Sequence, residues 1–223
     1  MDPKIKLLAT DFDGTLAVYD SYRQSAWNAI AEALDMREED EKMFEAYHKG
    51  EFDIVAWGEM TIDLYRQRGL SKEKMEQILS ERMHPSPGAQ MLFKRAKDQG
   101  LHTAIISGGL ENVYNAFANK LEVAPDYHFF AHKFLFDHAG IVTKSLLTNN
   151  DYHGKVKVLT GLCSRLGITT EQCAFVGDAI NDIPLFKVVG LSIAINPQND
   201  EVKNAAQVVL DTPNIGRALD FLY

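Results

Sequence analysis

The stretch Ile5-Lys6-Leu7-Leu8-Ala9-Thr10-Asp11-Phe12-Asp13-Gly14-Thr15 decides how this chain reads. Ile5 to Ala9 is a short apolar run with the look of a buried strand. Asp11 and Asp13 follow at its carboxyl end. Alternation along an extended backbone sends both carboxylates from one face while Phe12 packs on the other, and Gly14 lets the chain turn sharply away. Two carboxylates this close repel, and either a cation or a proton held by one of them resolves the conflict. A strand ending in an Asp/Gly turn also accounts for the pentapeptide taken alone. An EF-hand loop does not, because Thr15-Leu16-Ala17-Val18 supplies none of the further oxygen ligands. Nor does a kinase Asp-Phe-Gly, since Asp13 interrupts it and no companion motif appears.

Working outward, similar apolar runs recur at Leu101 to Ile106, Cys173 to Val176, Leu191 to Ile195 and Val208 to Leu210. Helical spacing fills Gly88 to Gln99, Lys155 to Leu166 and Asp182 to Val188 between them, a pattern that predicts an α/β fold with a parallel sheet. Ligands of such sheets gather at the carboxyl ends of the strands, where Asp11 and Asp13 stand. Two segments break the alternation. Ser21 to His84 carries amphipathic helical sequence with no strand, closing at Pro85-Ser86-Pro87-Gly88, and reads as a helical insertion. Tyr127 to Leu147, with Asp137-His138-Ala139-Gly140 at its middle, reads as a β-hairpin.

Three further signals lie at expected strand ends or beside them. Ser107-Gly108-Gly109 exposes backbone N–H groups and a hydroxyl before a helix, which suits an anion but is also an ordinary turn. Gly177-Asp178-Ala179-Ile180-Asn181-Asp182 brings two carboxylates onto one helical face with Asn181 between them. Helix capping explains Asp178 alone, whereas a hard cation with oxygen ligands explains the set and favours magnesium. Lys155, beside the loop Asn149 to Gly154, is the candidate positive charge against so many acids. His128, His132 and His138 in the hairpin lack the regular spacing of a metal site, and Trp27 and Trp57 read as packing residues of the insertion.

A length of 223 residues allows one sizeable domain, or a core with a smaller insertion. No apolar run approaches the ~20 residues of a membrane helix, so a cytoplasmic protein without membrane partners is expected. The net charge of −8 argues against a nucleic-acid surface. Cys163 and Cys173 suggest two buried thiols and no disulfide framework.

Taken in order, these motifs resemble those of the haloacid dehalogenase superfamily, and of its phosphoserine-phosphatase-like branch in particular. Asp11-Phe12-Asp13-Gly14-Thr15 looks like the first motif, Ser107-Gly108-Gly109 the second, Lys155 the third and Gly177-Asp178 to Asp182 the fourth. The resemblance implies a Rossmann-like, doubly wound core (residues 1–18 and 85–223) with a helical cap of the C1 type (19–84). It also implies a magnesium-dependent phosphomonoester hydrolase that works on a small phosphorylated metabolite through an aspartyl-phosphate, as monomer or homodimer. Asp11 would be the nucleophile and Asp13 the acid and base. The metal would be held by Asp11, the Asp13 carbonyl, Asp178 and Asp182, and Ser107, Gly108 and Lys155 would grip the phosphoryl oxygens. Asn181 would orient one of these groups or the substrate. Asp20 would meet the amino group of a phosphoserine, although Glu59 stands where the branch carries an Arg. Phosphoserine hydrolysis and phosphoryl transfer to another acceptor are therefore held as second readings, with a non-catalytic phospho-ligand module behind them.

Overall fold

The computed structural model describes residues 4–148 and 154–222. Residues 149–153, including His153, lie outside the described residues, as does the side chain of His48.

The first strand, β1 (Leu7–Thr10), is buried on both faces, as a central strand of a parallel sheet must be. Leu8 and Phe12 enter one core layer, while Leu7 and Ala9 enter the other, so period-2 alternation supplies both sides of the sheet from one short run. Next comes β2 (Ala17–Tyr19), then four helices: α1 (Ala26–Ala33), α2 (Arg37–His48), α3 (Ile54–Gln67) and α4 (Lys72–Arg82). Ser25, Asp53 and Ser71 cap α1, α3 and α4 by accepting from the backbone of Asn28, Ala56 and Lys74. The chain returns through β3 (Met83–Pro85), which pairs antiparallel with β2. The insertion thus stands on a two-stranded ribbon, where the sequence suggested no strand. Both strands are three residues long, too short to show a period.

The remaining elements are α5 (Ala89–Asp98), β4 (His102–Leu110), α6 (Asn112–Ala118), β5 (Tyr127–Phe136), β6 (Val142–Leu146), α7 (Gly154–Leu166), β7 (Cys173–Gly177), α8 (Ile183–Phe186), β8 (Leu191–Ile195), α9 (Asp200–Ala205) and β9 (Val208–Leu210). The main sheet has seven strands in the order β6-β5-β4-β1-β7-β8-β9, parallel except for the edge strand β6. Residues of α5 and α6 join the core on one face and residues of α7, α8 and α9 that on the other, a doubly wound arrangement. The chain leaves β1 towards β4 and later returns to β7 on its other side, which makes the end of β1 a topological switch point.

The hairpin differs from expectation. Its first strand, β5, pairs parallel with β4, so β5 and β6 extend the main sheet. They also anchor the insertion: Lys72 N donates to the Gly140 carbonyl (2.8 Å), Val142 N to that of Leu70 (3.3 Å), and Arg66 to the carbonyls of Val142 and Thr143. Cys163 and Cys173 are buried free thiols with sulfurs 3.3 Å apart. No helix among the described residues is long and apolar enough to cross a membrane.

Candidate active site

Register brings the site together. Thr10 at the end of β1 lies beside Ile105 of β4 and Val176 of β7, and Asp11 N donates to the Val176 carbonyl (2.8 Å). Asp11, one residue further on, and Ser107 and Asp178, two residues further on, lie at the same end of the sheet. Phe12 is fully buried, edge-on to Phe117 and Phe130 at 4.8 and 5.3 Å, and this anchor holds the chain while Asp11 and Asp13 line a cavity of about 590 Å³.

Asp11, Asp178 and Asp182 are all buried and offer oxygens within 4.8 Å of one another. Lys155 sits among them, equally buried, with Nζ 2.8 Å from Asp11 Oδ2 and 2.7 Å from Asp182 Oδ1. Burial by itself would lower the Lys155 ammonium, but the facing charges of Asp11 and Asp182 outweigh it and hold the pKa above its usual value. One ammonium does not neutralise three carboxylates. The Asp178 carboxyl is accordingly pushed well up by burial and by the charges of Asp182 and Asp11, against the Thr15 hydroxyl (2.7 Å) and the Gln198 amide (2.8 Å) that donate to it. Clustered buried carboxylates with excess negative charge are the donor set of a hard divalent cation. Gly14 makes the cluster possible: it has φ of +77°, and a Cβ there would run into the Asp178 carboxylate.

Asp182 reaches the cluster by a different geometry from the helical face expected. Ile180–Asp182 is a single 3-10 turn, and Asp182 Oδ2 accepts from the backbone N–H groups of Asp178 and Ala179 (3.0 and 3.1 Å) while Oδ1 takes Lys155. It fixes the loop as well as the charge.

Asp13 stands apart from the cluster. Its carboxylate accepts a hydrogen bond from the Tyr19 hydroxyl, and a Cβ on Gly109 would collide with it. Burial raises the Asp13 pKa to about 7; the Tyr19 hydrogen bond opposes the rise and the charge of Asp11 adds to it. Two carboxylates two residues apart therefore live in opposite environments, one ion-paired with lysine and one holding its proton near neutrality.

Ser107, Gly108 and Asn181 line the cavity with them. The Ser107-Gly108-Gly109 segment is an irregular stretch at the end of β4, with a register shift between Ser107 and Leu110, where the sequence suggested a turn after the strand. Ser107 Oγ accepts from Gly109 N (3.0 Å). Lys155 lies behind Asp11 and is not among the lining residues. Asp20 is not brought to the site: its side chain is 73 % exposed and binds His84 Nε2 at 2.9 Å. Glu59 is exposed, and Arg66, Arg68 and Arg82 are bonded to backbone carbonyls away from the cavity. The hairpin histidines diverge: His132 is buried at the cavity, His128 stacks on Tyr114 and His138 is exposed.

Sequence reasoning passed over several residues. Thr15 and Gln198 hold Asp178, Tyr19 holds Asp13, and Arg23, Gln24, Trp27 and Trp57 line the cavity from the insertion. Thr15 lay inside the opening motif, and Gln198 follows the carboxyl end of β8, where ligands of such sheets gather. For Tyr19 and Arg23 no local signal exists, because their place depends on how the insertion docks.

The topological switch beside a buried carboxylate cluster is the setting of a ligand site in a doubly wound α/β protein; residues 5–190 match the haloacid dehalogenase-like hydrolase family, and the chain belongs to it. Among its relatives is a protein of Albidiferax ferrireducens named phosphoserine phosphatase, 30 % identical over 96 % of this chain and 88 % of its own length. A phosphoserine phosphatase of Methanocaldococcus jannaschii is 28 % identical over the whole of both chains. In structure the chain is similar to a phospho-aspartyl intermediate analogue of phosphoserine phosphatase, with a TM-score of 0.77, 26 % identity and coverage of 99 % and 100 %.

Proposed function

We propose that this hydrolase is a phosphatase that cleaves small phosphomonoesters by passing the phosphoryl group first to Asp11 and then to water. The observation that carries the reading is the contrast between the two first-motif carboxylates, one paired with Lys155 at 2.8 Å and the other facing the Tyr19 hydroxyl, where burial favours the protonated form. Hydrolysis of a phosphomonoester needs both forms at once, a nucleophile and an acid. An Asp11 oxygen attacks phosphorus, the bond to the leaving oxygen breaks, and the Asp13 proton passes to that oxygen. Asp13, now ionised, takes a proton from water as the water oxygen attacks the aspartyl-phosphate, which returns Asp11 and restores the acid.

Ser107, Gly108 and Asn181 line the same cavity as Asp11 and would hold the phosphoryl oxygens. Lys155 contributes its charge from behind Asp11. Asp11, Asp178 and Asp182 would hold magnesium, with the Asp13 carbonyl as a further ligand, and the ion would offset the charge of the carboxylates and of the phosphoryl oxygens. Residues 1–18 and 85–223 act as the catalytic core, and residues 19–84 as a cap that closes the cavity over it.

The test is phosphate release from p-nitrophenyl phosphate by the purified protein with magnesium. Activity lost on chelation and restored by magnesium, and lost in Asp11→Asn, supports the reading. Full activity in Asp11→Asn, or transfer to an added alcohol in preference to water, contradicts it.

A further inference from the structure

The cavity above Asp11 and Asp13 has two chemically unlike ends. Away from the carboxylates it is walled by aromatic rings of the insertion: Trp57 stacks on Tyr47 at 4.9 Å and on Trp27 at 6.5 Å, with Phe44 edge-on at 6.2 Å. The guanidinium of Arg23 lies 4.0 Å above the Phe44 ring, so the wall already carries a resident cation.

An amino-acid leaving group asks for something else, a carboxylate to meet its ammonium. Among the described residues that line the cavity, the only carboxylates are Asp11 and Asp13, both engaged at the reacting end. Asp20 is turned to His84, and Asp40 is buried behind the wall in hydrogen bonds with Tyr22 and Asn28. Arg23 disfavours a second cation on the rings. A flat neutral ring meets no such penalty, and ring-on-ring stacking contributes ~1–3 kcal/mol per group. The cavity volume of about 590 Å³ leaves room for such a body beyond a phosphoryl group.

We propose that this cavity selects phosphomonoesters whose leaving alcohol carries an uncharged aromatic ring. The proposal rests on the phosphatase reading for its chemistry, but its binding preference can be measured without turnover. The two tryptophans of the chain, Trp27 and Trp57, both line the cavity, so indole emission reports occupancy of the wall. Asp11→Asn protein is titrated with 2-phenylethyl phosphate, ethyl phosphate, phosphoserine and phosphocholine while emission is followed. The expected result is a saturable change with 2-phenylethyl phosphate, at an affinity at least ~10-fold above the other three. In the native enzyme, the ratio of kcat/KM for 2-phenylethyl over ethyl phosphate should fall towards one in Trp57→Ala and persist in Trp57→Phe, a ratio that partial misfolding does not alter. Equal binding of all four probes, or preference for phosphoserine or phosphocholine, overturns the proposal. Ring-selective emission changes without turnover of any monoester would support it and count against the phosphatase reading alone.

Discussion

The floor and the wall of the cavity are built on opposite principles. The floor is charged, buried and fixed by short-range bonds: Asp11, Asp178, Asp182 and Lys155 lie within a few ångströms of one another beside the ends of β1 and β7. The wall is aromatic and comes from helices that reach the site only because α3 and α4 dock on the β5-β6 hairpin. A floor of this kind can perform one reaction on any phosphoryl group, and a wall of this kind can choose which group arrives. The two should therefore fail separately when altered.

The largest effect is expected at the floor. Asp11→Asn removes the nucleophile and should lower kcat by at least ~10³-fold on every monoester, whatever its leaving group. Lys155→Met should cost about 3–5 kcal/mol of folding stability, because it leaves Asp11 and Asp182 buried without their counter-charge, and a urea midpoint measures it. That substitution should also depress activity without changing the order of preferred substrates. A variant that changed the order would break the separation of floor from wall.

Tyr19 lies between the two regions, on the ribbon that carries the insertion, and its test is a pH profile. Asp13 must be protonated to donate, so kcat should fall as pH rises through about 7. The Tyr19 hydrogen bond stabilises the ionised form, and its loss in Tyr19→Phe should raise the Asp13 pKa and move the alkaline limb to higher pH by ~1 unit. A limb moving the other way would remove Asp13 from the acid role. Smaller still is the effect of Arg66→Ala, which deletes two bonds from the insertion to hairpin carbonyls and should cost about 1 kcal/mol or less. The wall should feel it first, as weaker discrimination between ring-bearing and small monoesters with the pH profile unchanged.

The same contrast explains what could be read from the sequence. The strand before Asp11 and the carboxylate clusters were legible because each is a local pattern at the end of a strand, and strand ends meet by a general rule of such sheets, while Lys155 stands at the start of α7 and was legible as the charge such acids need. The mode of assembly was less legible. Asp182 reaches its partners through a 3-10 turn, Ser107-Gly108-Gly109 is a strand irregularity, and the hairpin continues the sheet. The family resemblance implies Asp20 as a substrate ligand, yet it ends on the exposed edge of the ribbon with His84. The wall could not be read at all as a wall. Trp27 and Trp57 carry the helical spacing of packing residues, and they do pack, but they line the cavity only once the insertion has docked on a hairpin distant in sequence.

The central claim is that phosphoryl groups pass through Asp11, and it is tested most directly by quenching the enzyme with acid during turnover and mapping phosphorylated peptides by mass spectrometry. The account predicts a phosphoryl adduct on Asp11 that is absent in Asp11→Asn, whichever monoester is used. Steady turnover with no adduct, or with an adduct on another residue, would contradict it.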